Sequence, residues 1–407
     1  MLGGKMKVLV INSGSSSIKF QLINVESEQV IAKGLIERVG FEDSIFNYQA
    51  PPQPKTKKIL AVKDYKEGID LIISTLTGAE QGVIENMNEI QAVGHRIVHG
   101  GEDFSDSVLI TDDVIEVVER NIELAPLHNP PNLLGIKATR EVLPDVPNVG
   151  VFDTAFHQSI PAQAYVYPIP YEYYEEKRIR RFGFHGTSHH YVAIKAAEYV
   201  GKPIEDLKII TLHLGNGCSI TAIDGGKSVD TSLGYGTMCG MPMGTRAGDI
   251  DPAIVLYMME KEQMDPKEIQ QLIYKKSGML GVSGISSDMR EVEDEALAGH
   301  EKAGLALDIY VHYAKKFVGS YAAVMGGVDI VVFTAGVGEN SPIIRQKVCE
   351  NMEFLGIKID EEANDFKGKL RDISVAGSKT KVMVVPTNEE LMIAKDTYRI
   401  VLELNNR

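Results

Sequence analysis

The segment KVLVINSGSSSIKFQLIN, residues 7–24, is the place to begin. Residues 7–11 (KVLVI) and 18–24 (IKFQLIN) are rich in β-formers, and Asn12-Ser13-Gly14-Ser15-Ser16-Ser17 between them is turn chemistry. The chain therefore opens on a β-hairpin with a polar tip, and a third strand is expected near residues 29–36. The pattern returns at 208–223: KIITLHL runs into Gly215-Asn216-Gly217, then CSITAI, and a second turn, Asp224-Gly225-Gly226, leads into KSVDTS. Two hairpins of the same kind, so far apart, predict two related halves.

Length and composition are consistent with that reading. A chain of 407 residues suits two domains of about 150 to 200 residues with a cleft between the lobes. With 44% hydrophobic and 24% charged residues it reads as a globular protein, and no apolar run reaches membrane-spanning length. The N-terminal apolar run stops at Asn12, unlike a signal peptide, so a cytoplasmic location is expected. Cys218, Cys239 and Cys349 are widely spaced, with no CxxC pair, and read as reduced thiols. A formal net charge of -14 with scattered lysines and arginines argues against a nucleic-acid surface. Any phosphate must then be held locally, in a pocket.

Further elements follow from periodicity. Within 302–325, Leu307, Tyr310, Val311, Ala314, Phe317, Val318 and Tyr321 recur at helical spacing and predict a buried stripe. VDIVVFTAG, 328–336, reads as a buried strand that empties into a Gly-rich turn and then a helix at SPIIRQKVCENM. Strand, glycine turn and helix together suit phosphate binding, because glycines admit a ligand to the backbone and the helix start offers free N–H groups. PPQPKTKK, 51–58, reads as an exposed loop.

No single motif identifies the ligand. TAIDGGKS, 221–228, resembles a P-loop, but Thr221 replaces its first glycine and no helix follows, so it reads as a hairpin turn. GYGTMCG, 234–240, has one residue too many for a dinucleotide fingerprint. Three turns are anion-friendly: Asn12–Ser17 with Lys19, Gly215-Asn216-Gly217, and Gly336-Val337-Gly338-Glu339-Asn340. Each alone is equally a solvated turn; together they favour a phosphate-bearing ligand. The histidines of GHRIVHGG (94–101) and RFGFHGTSHH (181–190) lack HExxH spacing and stand beside glycines and arginines, which suits anions better than zinc. Arg246, in MGTRAGDIDP, can grip a carboxylate or phosphate bidentately, or can pair with Asp249 or Asp251.

Taken together these segments resemble the acetate kinase (acetokinase) family, within the superfamily of acetate and sugar kinases, heat-shock chaperones and actin. The match runs through essentially the whole chain after Met6, in VLVINSGSSSIKF, AVGHRIVHGG, APLHNPPN, VFDTAFH, RFGFHGTSH, HLGNGCS, MGTRAGDIDP, FTAGVGENS and PTNEEL. The resemblance implies an α/β protein of two actin-like (ribonuclease H-like) domains with a cleft between them. It places residues 1–153 and 387–407 in the first domain and 154–386 in the second, nucleotide-binding one. It implies an ATP site of Ser15, Ser17, Lys19, His213, Gly215, Asn216, Gly217, Asp288, Met289, Arg290 and Gly336 to Asn340, namely Gly336, Val337, Gly338, Glu339 and Asn340. Arg96, Arg246, His185, Asp153 and Asn12 match its catalytic residues, with His185 and Arg246 steadying the transferred phosphoryl group. Asn12, Glu389 and Asp153 match the residues that support Mg2+, for which Mn2+ can substitute. Arg96 also contacts the acid, and Val98, Leu127 and Phe184 match the walls of its pocket. Domain closure on ligand binding, a homodimer, and direct transfer from ATP to acetate are implied likewise.

One departure bears on the substrate. Where the family reads SMGFTPLEGL, this chain has Ser232 to Met241, SLGYGTMCGM, so Thr237 replaces a pocket-walling proline. A propionate or butyrate kinase of the same fold is the nearest alternative, to be separated by kcat/KM across acids of increasing length. An actin-like or chaperone-like ATPase with a protein partner is an alternative of another class, and would hydrolyse ATP without any acid. A non-catalytic nucleotide-binding protein remains open only if Arg96 and Arg246 are structural.

Overall fold

The computed structural model describes residues 6–406. They form two compact units: one runs to Gln158 and resumes at Asn388, and the other spans Ser159–Thr387. The first holds the strands β1 (Lys7–Gly14), β2 (Ser17–Asn24), β3 (Gln29–Glu37), β4 (Phe41–Gln49), β5 (Thr56–Val62), β6 (Ala92–Ile97), β7 (Val108–Leu109) and β8 (Asn148–Phe152). The second holds β9 (Lys208–Leu214), β10 (Cys218–Asp224), β11 (Lys227–Thr231), β12 (Ile330–Thr334), β13 (Arg371–Asp372) and β14 (Lys381–Val384).

The sheet orders are β5-β4-β3-β2-β1-β6-β8-β7 and β11-β10-β9-β12-β14-β13. Each contains the same five-strand core, two antiparallel hairpins feeding a strand that is flanked by two parallel ones, plus an antiparallel edge strand. These are two actin-like units, and the repeated hairpin opens the sheet of each. The central strands are buried on both faces, so β1 (VLVI) and β12 (IVVFT) read as continuous apolar runs. Toward the edge, β2 alternates, burying Ile18, Phe20 and Leu22 while exposing Lys19. Parallel pairing carries the ends of β1, β6 and β8 to one rim of the first sheet, and those of β9, β12 and β14 to one rim of the second. Ligands of open α/β sheets gather at such rims.

The C-terminal helix, Glu389–Asn405, packs on β6, β1 and β8. Gly94 in β6 permits that approach: a Cβ there would lie 2.7 Å from Ile393 Cγ2. No helix among the described residues is long and apolar enough to cross a membrane.

Several sequence expectations are corrected. The first hairpin is tighter than read: β1 continues to Gly14, which pairs with Ser17, so Ser15 and Ser16 alone make the turn. Residues 56–58 belong to β5 and not to a loop, though they remain largely exposed. The long helix spans Glu301–Met325, capped by His300 and stopped by Gly326 at φ 68°. Its stripe is buried as expected except Phe317, which is half-buried because steps of about 100° put it at the stripe's margin. The glycine-rich stretch after β12 is no turn but a short helix, Ala335–Asn340, entered through Ala335 at φ 63°. It holds because the Glu339 carboxylate accepts the Ala335 N–H at 2.9 Å, satisfying a first-turn donor.

Candidate active site

In the first unit the site residues lie along the rim of the sheet. Arg96, next to last in β6, donates Nε to Asp153 Oδ1 at 3.0 Å and Nη2 to Oδ2 at 2.5 Å. Asp153 follows β8 directly, and its N–H bonds Ile97 O at 3.0 Å. This fork fixes the guanidinium plane and leaves its remaining N–H groups for a ligand. Burial pushes the Asp153 carboxyl up; Arg96 opposes this and Glu389 adds to it by repulsion. Glu389 opens the C-terminal helix behind the cap Asn388, whose side chain accepts the Leu391 N–H at 3.0 Å.

Asn12 pairs across the hairpin with Lys19, whose ammonium forms an ion pair with Glu390. Ser15 is exposed at the tip and Ser17 half-buried beside it. Val98 is buried, but Leu127 is 74% exposed. Two asparagines of HNPPN, which the sequence reading passed over, fasten this rim. Asn132 donates to Ser13 O at 2.7 Å and accepts the Val98 N–H at 3.1 Å, bracing the phosphate-type hairpin against the strand of Arg96. Asn129 likewise accepts the His99 N–H and donates to His99 O.

The second unit contains a cavity of about 850 Å³, a ligand-sized volume. Gly215 and Asn216 at the tip of the β9–β10 hairpin line it, as do Asp288, Met289 and Arg290 at the start of the helix Met289–Leu297. Gly336, Val337 and Asn340 form another wall, while Gly338 and Glu339 do not reach the cavity. The Glu339 carboxylate is taken by the N–H groups of Ala335 and, at 3.1 Å, Thr387. Arg290 grips Asp288 through Nε at 3.0 Å and Nη2 at 2.5 Å, holding that carboxyl down to about 2. Sequence reading missed Glu293 and Lys367 in this wall, which stand in ordinary helix and loop context; Tyr310 was read only as core.

Beside the tip stand His185 and Arg246. His185 adopts φ 57° where it caps the helix Gly186–Val200, a left-handed geometry uncommon for a residue other than glycine. Its ring stacks on that of His213 at 4.2 Å, and His213 Nδ1 meets Ser188 Oγ at 2.8 Å. His213 itself is absent from the cavity wall, so its contact is with His185. A Cβ built on Gly217 would lie 3.5 Å from His185 Nε2 and 4.0 Å from Arg246 Nη1. The His185 ring edge and the Arg246 guanidinium thus both border the open point at Gly217 where a side chain would begin, each at ordinary contact distance.

The alternative in which Arg246 pairs with Asp249 or Asp251 is overturned. Among the described residues Arg246 makes no ion pair; Nη1 donates to Thr237 O at 2.9 Å, while Asp249 accepts the Gly240 N–H and Asp251 caps the next helix. The Arg246 loop is held by Met243 N to Arg246 O at 3.0 Å, Ser277 N to Thr245 O at 3.0 Å and Leu280 N to Gly244 O at 2.9 Å. Thr237 is half-buried in that loop and Phe184 is buried beside His185.

A fold of two actin-like units, one with an arginine–carboxylate rim and the other with a nucleotide-sized cavity under a glycine hairpin, defines a phosphotransferase of the actin-like class. The sequence profile of the Acetokinase family matches residues 7–395. The acetate kinase of Thermoanaerobacter pseudethanolicus is 55% identical over 397 residues, covering 97% of this chain and 99% of that one. The crystal structure of Porphyromonas gingivalis acetate kinase superposes with a TM-score of 0.95 at 48% identity, covering 97% of this chain and 100% of that chain. A propionate kinase from Francisella tularensis superposes at 0.89 with 41% identity, at the same coverage. The chain belongs to the acetokinase family.

Proposed function

We propose that the chain transfers the γ-phosphoryl group of ATP reversibly to acetate, giving acetyl phosphate and ADP by direct in-line displacement. The observation that carries this reading is that the His185 ring edge and Arg246 Nη1 both border the open point at Gly217, at 3.5 and 4.0 Å, beside the cavity that suits the nucleotide.

A small carboxylic acid has a pKa of about 4.3, with glutamate as its model, so the nucleophile is already ionised at neutral pH. No general base is needed. One carboxylate oxygen forms a bond to the γ-phosphorus as the bond to the β,γ-bridging oxygen breaks, and the electron pair leaves on ADP. The obstacle is bringing an anion to a polyanion, so catalysis comes from positioning and charge neutralisation. Arg96, its plane set by Asp153, orients the acid. His185 and Arg246 stabilise the charge on the transferring group. Ser15, Ser17, Lys19 and Asn216 contact phosphates, while Asp288 to Arg290 and Gly336 to Asn340 enclose the nucleoside. Inversion at a chiral γ-phosphate is expected, and retention would exclude direct transfer.

The residues fit Mg2+, or Mn2+ in its place. Asp153 and Glu389 repel one another across the rim with Asn12 on the same sheet edge, and a divalent cation relieves that repulsion. No cluster of three or more His, Cys, Asp or Glu residues able to hold a metal occurs among the described residues, which suits an ion carried mainly by phosphates and water. Bound there, the ion neutralises charge on the β- and γ-phosphates.

Cytoplasmic residence belongs to the same reading, supported by ATP as substrate and three free thiols. A homodimer does also: the helix Pro252–Glu260, PAIVLYMME, buries none of its residues in this chain despite its apolar composition. Propionate is a second acceptor to weigh, because Thr237 stands where a proline is usual and the likeness to a propionate kinase is high.

The experiment is ADP release from Mg-ATP with acetate, propionate, butyrate or no acid, with acyl phosphate measured in parallel. Stoichiometric acetyl phosphate with acetate preferred is expected. Preference for a longer acid would reassign the substrate, and acid-independent ADP release would make the chain an ATPase.

A further inference from the structure

Behind His185 lies a line of buried side chains that the proposed mechanism does not use. His185 Nδ1 is 2.8 Å from Ser219 Oγ, on β10. The same oxygen is 2.7 Å from Nε2 of His189, one turn along the helix Gly186–Val200. His189 Nδ1 is in turn 2.7 Å from Thr211 Oγ1, on β9. Thr211, Ser219 and His189 are all fully buried. We propose that this line, Thr211 to His189 to Ser219 to His185, fixes the proton of His185 on Nε2, making the ring a neutral hydrogen-bond donor aimed at the transferred phosphoryl group. The inference rests on the role given to His185 above.

The direction of the line follows from counting protons. A threonine hydroxyl has one proton, and His189 Nδ1 is the one side-chain or backbone partner of Thr211 Oγ1 among the described residues. Were Nδ1 to carry a proton and donate, the hydroxyl proton would be left buried without an acceptor, which costs about 1 to 3 kcal/mol. Thr211 therefore donates, and His189 carries its own proton on Nε2. That N–H donates to Ser219 Oγ, and the single serine proton goes to its other partner, His185 Nδ1. A neutral imidazole that accepts at Nδ1 carries its proton at Nε2. Nε2, with the adjoining Cε1, is on the ring edge that faces the open point at Gly217, both at 3.5 Å. His189 and Ser219 act through His185 and are positioning residues; stacking on His213 holds the ring in plane.

The test reads tautomer and turnover separately. Long-range proton–nitrogen correlation spectra of the histidine-labelled resting protein near pH 7.5 are expected to show His185 with Nδ1 bare and Nε2 protonated. The tautomer is read without substrates, so it stands or falls independently of whether acetate is the acceptor. Ser219→Ala removes the donor to Nδ1. It is expected to mix the His185 tautomers and lower kcat by roughly 10- to 100-fold, with KM for ATP and acetate changed less than about threefold, a fraction of what losing a whole transition-state donor costs. Ser219→Thr, which keeps the hydroxyl, is expected to restore most of kcat. A proton on Nδ1 of His185 in the native protein would overturn the proposal, as would Ser219→Ala turnover within about twofold of native.

Discussion

At Gly217 the proposed function gives the missing side chain a role. A methyl group there would stand 3.5 Å from His185 Nε2 and 4.0 Å from Arg246 Nη1, filling the space between them. Gly217→Ala is therefore expected to lower kcat by about tenfold or more while leaving the melting temperature unchanged, because the glycine is not at positive φ. On the proposed reading Arg246→Ala removes a transition-state donor whose loop is otherwise held by backbone bonds, and turnover is expected to fall on the order of 10² to 10³. Unchanged steady-state kinetics would reject the assignment. At Thr237 the atom that matters is the carbonyl oxygen, which accepts from Arg246 Nη1 at 2.9 Å. Proline keeps that oxygen, so Thr237→Pro is expected to retain acetate turnover. The rigid ring should lower kcat/KM for propionate relative to acetate, within the 1 to 3 kcal/mol or so that one methylene is worth.

Among the elements, β6 carries both a site residue and a liability. Arg96 faces the rim, whereas His95 is buried and its Nε2 donates to Asn148 Oδ1 at 2.7 Å, since an amide oxygen only accepts. Burial pulls His95 down to about 4, and His99, just beyond the strand, down to about 3. Between these values and 6.5 the unfolded chain binds protons that the folded chain refuses. Stability is therefore intact above pH 6.5 and falls as pH drops, by up to about 1.4 kcal/mol per pH unit for each histidine. Melting temperatures measured from pH 7 to 4.5 are expected to decline, and His95→Gln, which keeps a donor for Asn148, should flatten the slope. A slope unaltered by that substitution would place the acid sensitivity elsewhere.

For the molecule as a whole, the exposed apolar helix Pro252–Glu260 is the main feature unexplained by a single chain. Leu256 is 58% and Tyr257 56% exposed there, on a helix that follows the Arg246 loop almost directly. A second copy covering it is the occupant that the homodimer reading supplies. Leu256→Glu is expected to shift the mass measured by light scattering from dimer to monomer. A native protein that is already monomeric would remove that part of the reading.

Much of this was legible along the chain because it depends on neighbours in sequence. The hairpins at 7–24 and 208–224 follow from β-rich runs broken by Gly, Asn and Ser; the strand 330–334 and helix 301–325 follow from apolar period and length; Arg246 and His185 stood out because cationic and imidazole side chains sat among glycines. The remainder depends on register between segments far apart. Ser219 is an ordinary strand residue until β10 pairs with β9 and the helix Gly186–Val200 packs on that sheet, bringing His185 and His189 against it. Glu339 looked like part of a phosphate turn until the fold gave its carboxylate two backbone N–H groups to accept. Asn132 is one polar residue of a helix until it spans Ser13 and Val98. Hydrogen-bond partners are assigned by the folded chain, since a buried donor takes whichever acceptor packing brings within 3 Å or so of it.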